Sequence, residues 1–118
     1  MKIFKDFTFE AAHKLPLVPK DHKCFNLHGH SFKVRVCVEG PIDSFGWVMD
    51  FSLVKSICSP IISSLDHTYL NEIQGLENPT SENISVWLWQ KLKPSLDGLE
   101  SIEIMETCNS GCIYNGKD

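Results

Sequence analysis

The sequence predicts an α+β domain: an antiparallel four-stranded sheet with two helices on one face, in the order strand, strand, helix, helix, strand, strand. Three observations predict it. Two segments near the start alternate apolar and polar residues with a period of two. Two segments in the middle repeat their apolar residues at helical spacing. Two shorter extended runs then close the chain.

The first strand is read from parity. Ile3, Lys5, Phe7, Phe9, Ala11 and His13 point one way, and Thr8, Glu10 and Ala12 the other. Phe7, Phe9 and His13 then belong to the inner face. Residues 14–27 carry Pro16, Pro19, Asp21 and Asn26 and read as a loop. A second strand follows, with His30, Phe32, Val34, Val36 and Val38 inward and Ser31, Lys33, Arg35, Cys37 and Glu39 outward; Gly40-Pro41 ends it.

Trp47-Val48-Met49 returns toward the core, and Asp50 can cap a helix built on Leu53, Val54, Ile57, Cys58 and Ile61. Pro60 is expected to kink or break that helix in its last turn. Leu65 to Pro79 reads as a loop. Thr80 or Ser81 caps the second helix, whose apolar face is Ile84, Trp87, Leu88 and Leu92, with Pro94 at its end. Leu99 to Thr107 is the third strand and Cys112 to Asn115 the fourth.

Composition narrows the function classes. The 118 residues are long enough for one core and too short for two ordinary domains, so 1–118 is read as a single domain. A charged fraction of 22% and an apolar fraction of 42% are those of a soluble globular protein. A net charge of -4, with Arg35 the sole arginine, gives no general attraction to nucleic acid or to acidic membranes. No apolar run approaches a membrane span, and the N-terminal residues lack the apolar stretch of a signal peptide. The five cysteines (Cys24, Cys37, Cys58, Cys108 and Cys112) are an odd number, which argues for a reducing, cytoplasmic setting. Cys37 and Cys58 lie inside periodic segments and read as buried apolar residues. Cys108 and Cys112 lack the second pair that a structural zinc set would need.

The chemistry concentrates in Lys23-Cys24-Phe25-Asn26-Leu27-His28-Gly29-His30-Ser31-Phe32. On an extended segment His28 and His30 point the same way and can grip one metal ion. If the first two strands pair, His13 faces them. Three neutral imidazoles with an open fourth position describe a catalytic zinc site rather than a closed structural one. Cys24 is flanked by Lys23, with His22 next to that, and cations or a nearby metal raise the thiolate fraction. It can serve as a base beside the metal or as a fourth ligand that closes the site. Asp66 and His67 are adjacent and can form an acid–base relay, although neighbouring side chains meet only through a tight turn. The bland alternative is an exposed pair after a helix. Glu106 shares parity with Ile102 and Ile104. An inward carboxylate needs a partner, such as the N–H and amino groups of a guanine-like ring; otherwise the strand has ended and Glu106 meets solvent.

Nearly the whole chain resembles the 6-carboxytetrahydropterin synthases, the bacterial branch of the 6-pyruvoyltetrahydropterin synthase family. The resemblance is carried by Phe4 to His13, Cys24 to Phe32, Leu65-Asp66-His67, Leu76 to Glu82, Glu106-Thr107-Cys108 and Gly111 to Tyr114. It implies the tunnelling fold, in which subunits join their sheets into a barrel with active sites at subunit interfaces. It further implies a homo-oligomer, a hexamer built as a dimer of trimers. The substrate implied is 7,8-dihydroneopterin triphosphate. The implied products are 6-carboxy-5,6,7,8-tetrahydropterin, acetaldehyde and triphosphate, on the route to queuosine and other 7-deazaguanines. By match to the family motif, His13, His28 and His30 hold zinc and Cys24 abstracts the proton. Asp66 and His67 form the relay from a neighbouring subunit. Glu106 anchors the pterin ring, with Thr80 and Ser81 near it. Lys14, Lys20 and Lys23 are candidates to meet the triphosphate. The three residues between Cys24 and His28 favour the carboxy-forming branch over the pyruvoyl-forming one, which carries a longer insertion. The readings kept beside this one are the sibling pyruvoyl-forming reaction, a non-catalytic zinc module closed by Cys24, and a cysteine hydrolase using Cys24 and His67.

Overall fold

The computed structural model describes residues 1–117. Its first strand, β1, spans Lys2–His13, and β2 spans His28–Glu39. Helix α1 covers Phe51–Ser63, a short strand β3 covers Thr68–Tyr69, and α2 covers Ser81–Leu92. Strands β4 (Leu99–Thr107) and β5 (Ser110–Tyr114) form the closing hairpin.

The sheet has five strands in the order β3-β1-β2-β4-β5. That corrects the expected four-stranded antiparallel sheet. The addition is β3, which pairs parallel to β1 through Ala11 with Thr68 and Ala12 with Tyr69. It lies inside the stretch from Leu65 to Pro79 that composition marks as loop. Two residues are too short to show alternation, so the strand exists only through its partner.

The parity reading of β1 and β2 holds. Phe9, Ala11 and His13 are buried on β1, as are Phe32, Val34, Val36 and Val38 on β2. Ile102 and Ile104 of β4 join them, and Val54, Cys58, Ile62, Ile84, Leu88 and Leu92 of the helices cover the same core. Each such aliphatic side chain, fully withdrawn from water, contributes about 1.5–3 kcal/mol before entropy is counted. The opposite parity of β1 and β2 stays in contact with solvent. There Asp6 accepts from Arg35 across the ladder at 2.8 and 3.1 Å, and the Arg35 guanidinium holds the Asp6 carboxyl below its usual range.

Helix starts fall where the side chains dictate. The Asp50 carboxylate accepts from Ser52 N–H at 2.9 Å, and the Thr80 hydroxyl accepts from Asn83 N–H at 3.1 Å. Of the kink or break expected at Pro60, the break does not occur there: α1 runs on through one last turn to Ser63, because Pro60 opens that turn and costs only one hydrogen bond back to the helix. One expectation for the apolar face needs revision. Leu53 is 49% exposed, and Ile62 takes the core position instead.

Candidate functional site

The register of β1 and β2 builds the centre. His13 and His28 are directly opposed on the last rung of the ladder, and Ala11 opposes His30. Parity then puts all three imidazoles on the core face, at the end of the sheet where the chain leaves for residues 14–27. Their ligating nitrogens all lie within 4.8 Å of one another. Ring centroids are 4.5 Å apart for His13 and His28, 5.3 Å for His13 and His30, and 5.0 Å for His28 and His30. Phe32 lies edge-on against His13 and His30 at 5.5 Å, a wall of hydrocarbon behind the rings.

Backbone carbonyls set two tautomers. His13 Nδ1 is 2.7 Å from Pro79 O, and His28 Nδ1 is 2.7 Å from Asn26 O. A carbonyl only accepts, so each Nδ1 carries the proton and each Nε2 keeps its lone pair. Orientation of a metal-binding imidazole through its other nitrogen is the usual outer-shell arrangement. His13 is wholly buried, and burial pushes its pKa down against the opposing pull of the Pro79 carbonyl and Glu106. The ring is therefore held neutral. The buried Nε2 atoms of His13 and His30 have no hydrogen-bond partner within the protein. A buried polar atom left in that condition costs about 1–3 kcal/mol unless something binds it. These two nitrogens converge with a ring nitrogen of His28, all within 4.8 Å of one another, and the set fits a divalent metal ion that takes neutral imidazole.

Asn71 fixes the position of this centre. Its Oδ1 accepts from Lys14 N–H at 3.0 Å, and its Nδ2 donates to Lys14 O at 2.8 Å and to Glu77 O at 3.3 Å. The chain leaving His13 is thereby clamped to the segment that carries Pro79. Neither Asn71 nor the Pro79 carbonyl stood out in the sequence. An asparagine in a loop has many roles, and a carbonyl has no sequence signature.

Glu106 reaches the same centre. Its Oε1 is 3.4 Å from His13 Nε2 and 3.8 Å from His30 Nε2. The inward parity of β4 thus persists to Glu106, which is half-buried. Ser81 shares a cleft of about 180 Å³ with Glu106, Glu82 and Cys112. The Thr80 oxygen is committed to capping α2.

Cys24 sits in a single 3₁₀ turn, Lys23–Phe25, on the loop between β1 and β2. Its N–H donates to His22 Nδ1 at 3.0 Å, and its carbonyl accepts from Leu15 N–H at 2.8 Å. Leu15 lies two residues after His13, so the turn is tied to the root of the histidine cluster. The Cys24 sulfur is not part of the converging ligand set.

Asp66 and His67 meet each other at 2.9 Å, from Asp66 Oδ2 to His67 Nδ1. The tight turn that adjacent residues require is present: His67 has φ 57°, in the left-handed region. Asp66 Oδ1 also accepts from Glu10 N–H at 2.8 Å. That backbone bond, with His67 second, holds the Asp66 carboxyl below its usual range. The His67 side chain is 80% exposed. It borders an open cleft of about 530 Å³ whose floor includes Glu10, Ala12, Gly29 and Ser31, the outward parity of β1 and β2. Ser31 donates to Glu10 Oε2 there at 2.6 Å. Within one chain, then, the structure gathers His13, His28, His30 and Glu106 at one point, and holds Asp66 with His67 as a separate pair at the sheet edge.

Comparison with known proteins places this geometry. A family model described as 6-pyruvoyl tetrahydropterin synthase matches residues 2–117. A 6-carboxy-5,6,7,8-tetrahydropterin synthase of Synechocystis sp. is 46% identical over 119 aligned residues, covering 95% of this chain and 91% of that protein. A dihydroneopterin monophosphate aldolase of Pyrococcus furiosus is 40% identical over 91 residues, covering 77% of this chain and 74% of its own. The solved structure of a Caenorhabditis elegans 6-pyruvoyl tetrahydropterin synthase matches with a TM-score of 0.91 at 28% identity, over 99% of this chain and 96% of its own.

Proposed function

The chain belongs to the 6-pyruvoyl tetrahydropterin synthase family, and from that premise we propose that it is a zinc-dependent lyase of the carboxy-forming branch. With one water, it converts 7,8-dihydroneopterin triphosphate to 6-carboxy-5,6,7,8-tetrahydropterin, acetaldehyde and triphosphate, the step that feeds queuosine. The observation that carries the reading is the convergence of three imidazoles, two of them oriented by backbone carbonyls, within 4.8 Å of one another. The 46% identity to a carboxy-forming enzyme and the three-residue gap between Cys24 and His28 support the branch.

His13, His28 and His30 hold the zinc. When bound, it supplies a Lewis acid for the oxygens of the substrate side chain. Glu106 accepts the ring N–H and amino protons through two parallel hydrogen bonds. Cys24, as thiolate, takes the proton from the side-chain carbon next to a hydroxyl, and its turn keeps it by the metal centre. His67 hands a proton back, held in orientation by Asp66. Thr80 and Ser81 border the ring at the start of α2. Lys14, Lys20 and Lys23, all on residues 14–27, offer positive charge to the triphosphate. The exposed position of His67 fits a relay that works on a neighbouring copy, so we assign a homo-oligomer, a hexamer made of two trimers. The free cysteines fit the cytoplasm. Among the described residues no helix is long and apolar enough to cross a membrane.

The test is incubation of zinc-loaded protein with dihydroneopterin triphosphate, with mass spectrometry of the pterin and an assay for acetaldehyde. Both products are expected, and a chelator abolishes both. Absence of both from the loaded protein would sink the proposal. Triphosphate without acetaldehyde selects the pyruvoyl-forming reaction. The aldolase relative supports a second reading, cleavage of the side chain of a monophosphate substrate, and the same assay run on dihydroneopterin monophosphate separates it.

A further inference from the structure

We propose that His22 is a positioning residue for Cys24: its neutral imidazole caps the single turn that carries the thiol. The proposal rests on the reading of Cys24 as the base of a lyase, and it goes beyond that reading by naming what places the base.

Cys24 lies on residues 14–27, between β1 and β2, where no ladder fixes the backbone. Its placement therefore depends on a few local bonds. The Cys24 carbonyl accepts from Leu15 N–H at 2.8 Å, and the Cys24 N–H donates to His22 Nδ1 at 3.0 Å. His22 stands at the N-cap of the Lys23–Phe25 turn, and Cys24 is the second residue of that turn. The imidazole thus does what Asn, Asp or Ser does at a helix start, where a side-chain atom accepts from an orphan first-turn amide. The far end of the turn is held by other means. Asn26 N–H donates to Lys23 O at 3.2 Å, and Asn26 O accepts from His28 Nδ1 at 2.7 Å. Without the His22 ring, the near end keeps one bond, from Phe25 N–H to His22 O at 3.0 Å.

The cap also fixes the state of His22. An amide N–H only donates, so Nδ1 presents its lone pair and the ring proton sits on Nε2. A doubly protonated ring has no acceptor at Nδ1 and cannot cap. The sequence suggests His22 as a cation that favours the thiolate. In the structure it has a different duty, that of an uncharged acceptor that holds the backbone, and Lys23 is left as the adjacent positive charge. A general base works only within hydrogen-bond reach of the proton it takes, so a turn that wanders costs turnover.

Three variants separate an acceptor from a charge. His22→Asn keeps a capping acceptor and carries no charge. His22→Lys keeps a charge and offers no acceptor, and His22→Ala offers neither. Each full-length variant is checked for folding by circular dichroism. Protection of the Cys24 amide is read by residue-resolved hydrogen exchange, and kcat and KM are read with dihydroneopterin triphosphate on the zinc-loaded protein. The asparagine variant is expected to stay within about twofold of wild type in both. The lysine and alanine variants are expected to lose about fivefold in amide protection and in kcat, the shift that a lost cap produces, with KM little changed. A lysine variant that works while the asparagine variant fails restores the cation and overturns the proposal. Equal amide protection in all four proteins overturns it as well, and so does lost protection with unchanged kcat. If wild type turns over no substrate, the lyase reading fails by itself, and the pattern of amide protection alone upholds or overturns the cap.

Discussion

Replacing Asn71 with alanine tests whether the histidine centre depends on a clamp one residue beyond His13. The change deletes three hydrogen bonds, two to Lys14 at 3.0 and 2.8 Å and a longer one to Glu77 O at 3.3 Å. A hydrogen bond contributes about 0.5–1.5 kcal/mol net, and the freed groups here lie where water can replace part of it. The two short bonds and a fraction of the third give a loss of about 1.5–3 kcal/mol. For a chain of this size that lowers Tm by about 6–12 °C. The clamp ties the root of His13 to the segment whose carbonyl, Pro79 O, orients the ring. Zinc affinity should therefore fall too, by about tenfold, the lower end for a lost outer-shell partner. Thermal melts of the metal-free protein and chelator competition on the loaded protein read the two effects separately. Asn71→Asp keeps the acceptor for Lys14 N–H but turns an oxygen toward two carbonyls, so it should be no more stable than the alanine variant. A Tm within about 2 °C of wild type would refute the clamp. A lower Tm with unchanged zinc affinity would refute its link to His13.

Three other outcomes are expected. Burial lowers the pKa of His13, so in the metal-free protein its contribution to stability is complete above the unfolded value of about 6.5 and is lost as pH falls through the folded value; urea midpoints of wild type and His13→Gln across that range should converge toward acid. Burial pushes the Cys58 thiol up to about 11, while Cys108 is exposed, so iodoacetamide at pH 8 followed by mass spectrometry should label Cys108 quickly and Cys58 only on unfolding. Equal labelling of both would contradict the packing of α1. His67→Gly relieves a left-handed backbone worth about 1 kcal/mol, so Tm should rise by a few degrees while turnover of the pterin substrate collapses; a variant that keeps full activity removes His67 from the relay.

Much of this architecture is legible from alternation and caps. Parity alone puts His13 on the face of His28 and His30, because a strand offers only two sides. Asp50 and Thr80 mark the helix starts because their oxygens meet first-turn amides. The hidden parts share a cause: each depends on a partner far along the chain. Strand β3 exists because His67 N–H reaches Glu10 O and Ala11–Ala12 lie alongside. The Asp66–His67 contact needs a positive φ at a residue that is not glycine, which no local pattern announces. Asn71 and the Pro79 carbonyl act across more than fifty residues. Parity also brought Glu106 inward correctly, yet only coordinates reveal that it meets the imidazoles.

The rung that pairs His13 with His28 has a consequence for how this scaffold tolerates change. Residues 14–27 leave from one side of that rung and return on the other, so they form a closed excursion whose anchor is the sheet itself. Closing a longer excursion costs only slightly more entropy. Residues inserted there would shift the thiol of Cys24 and leave all three imidazoles where the ladder puts them. With Cys24 as the proposed base and the three histidines as the proposed ligands, acid–base reach and ion grip become separately adjustable parts, and a new bond-breaking preference can arise from loop length alone, without rebuilding the centre.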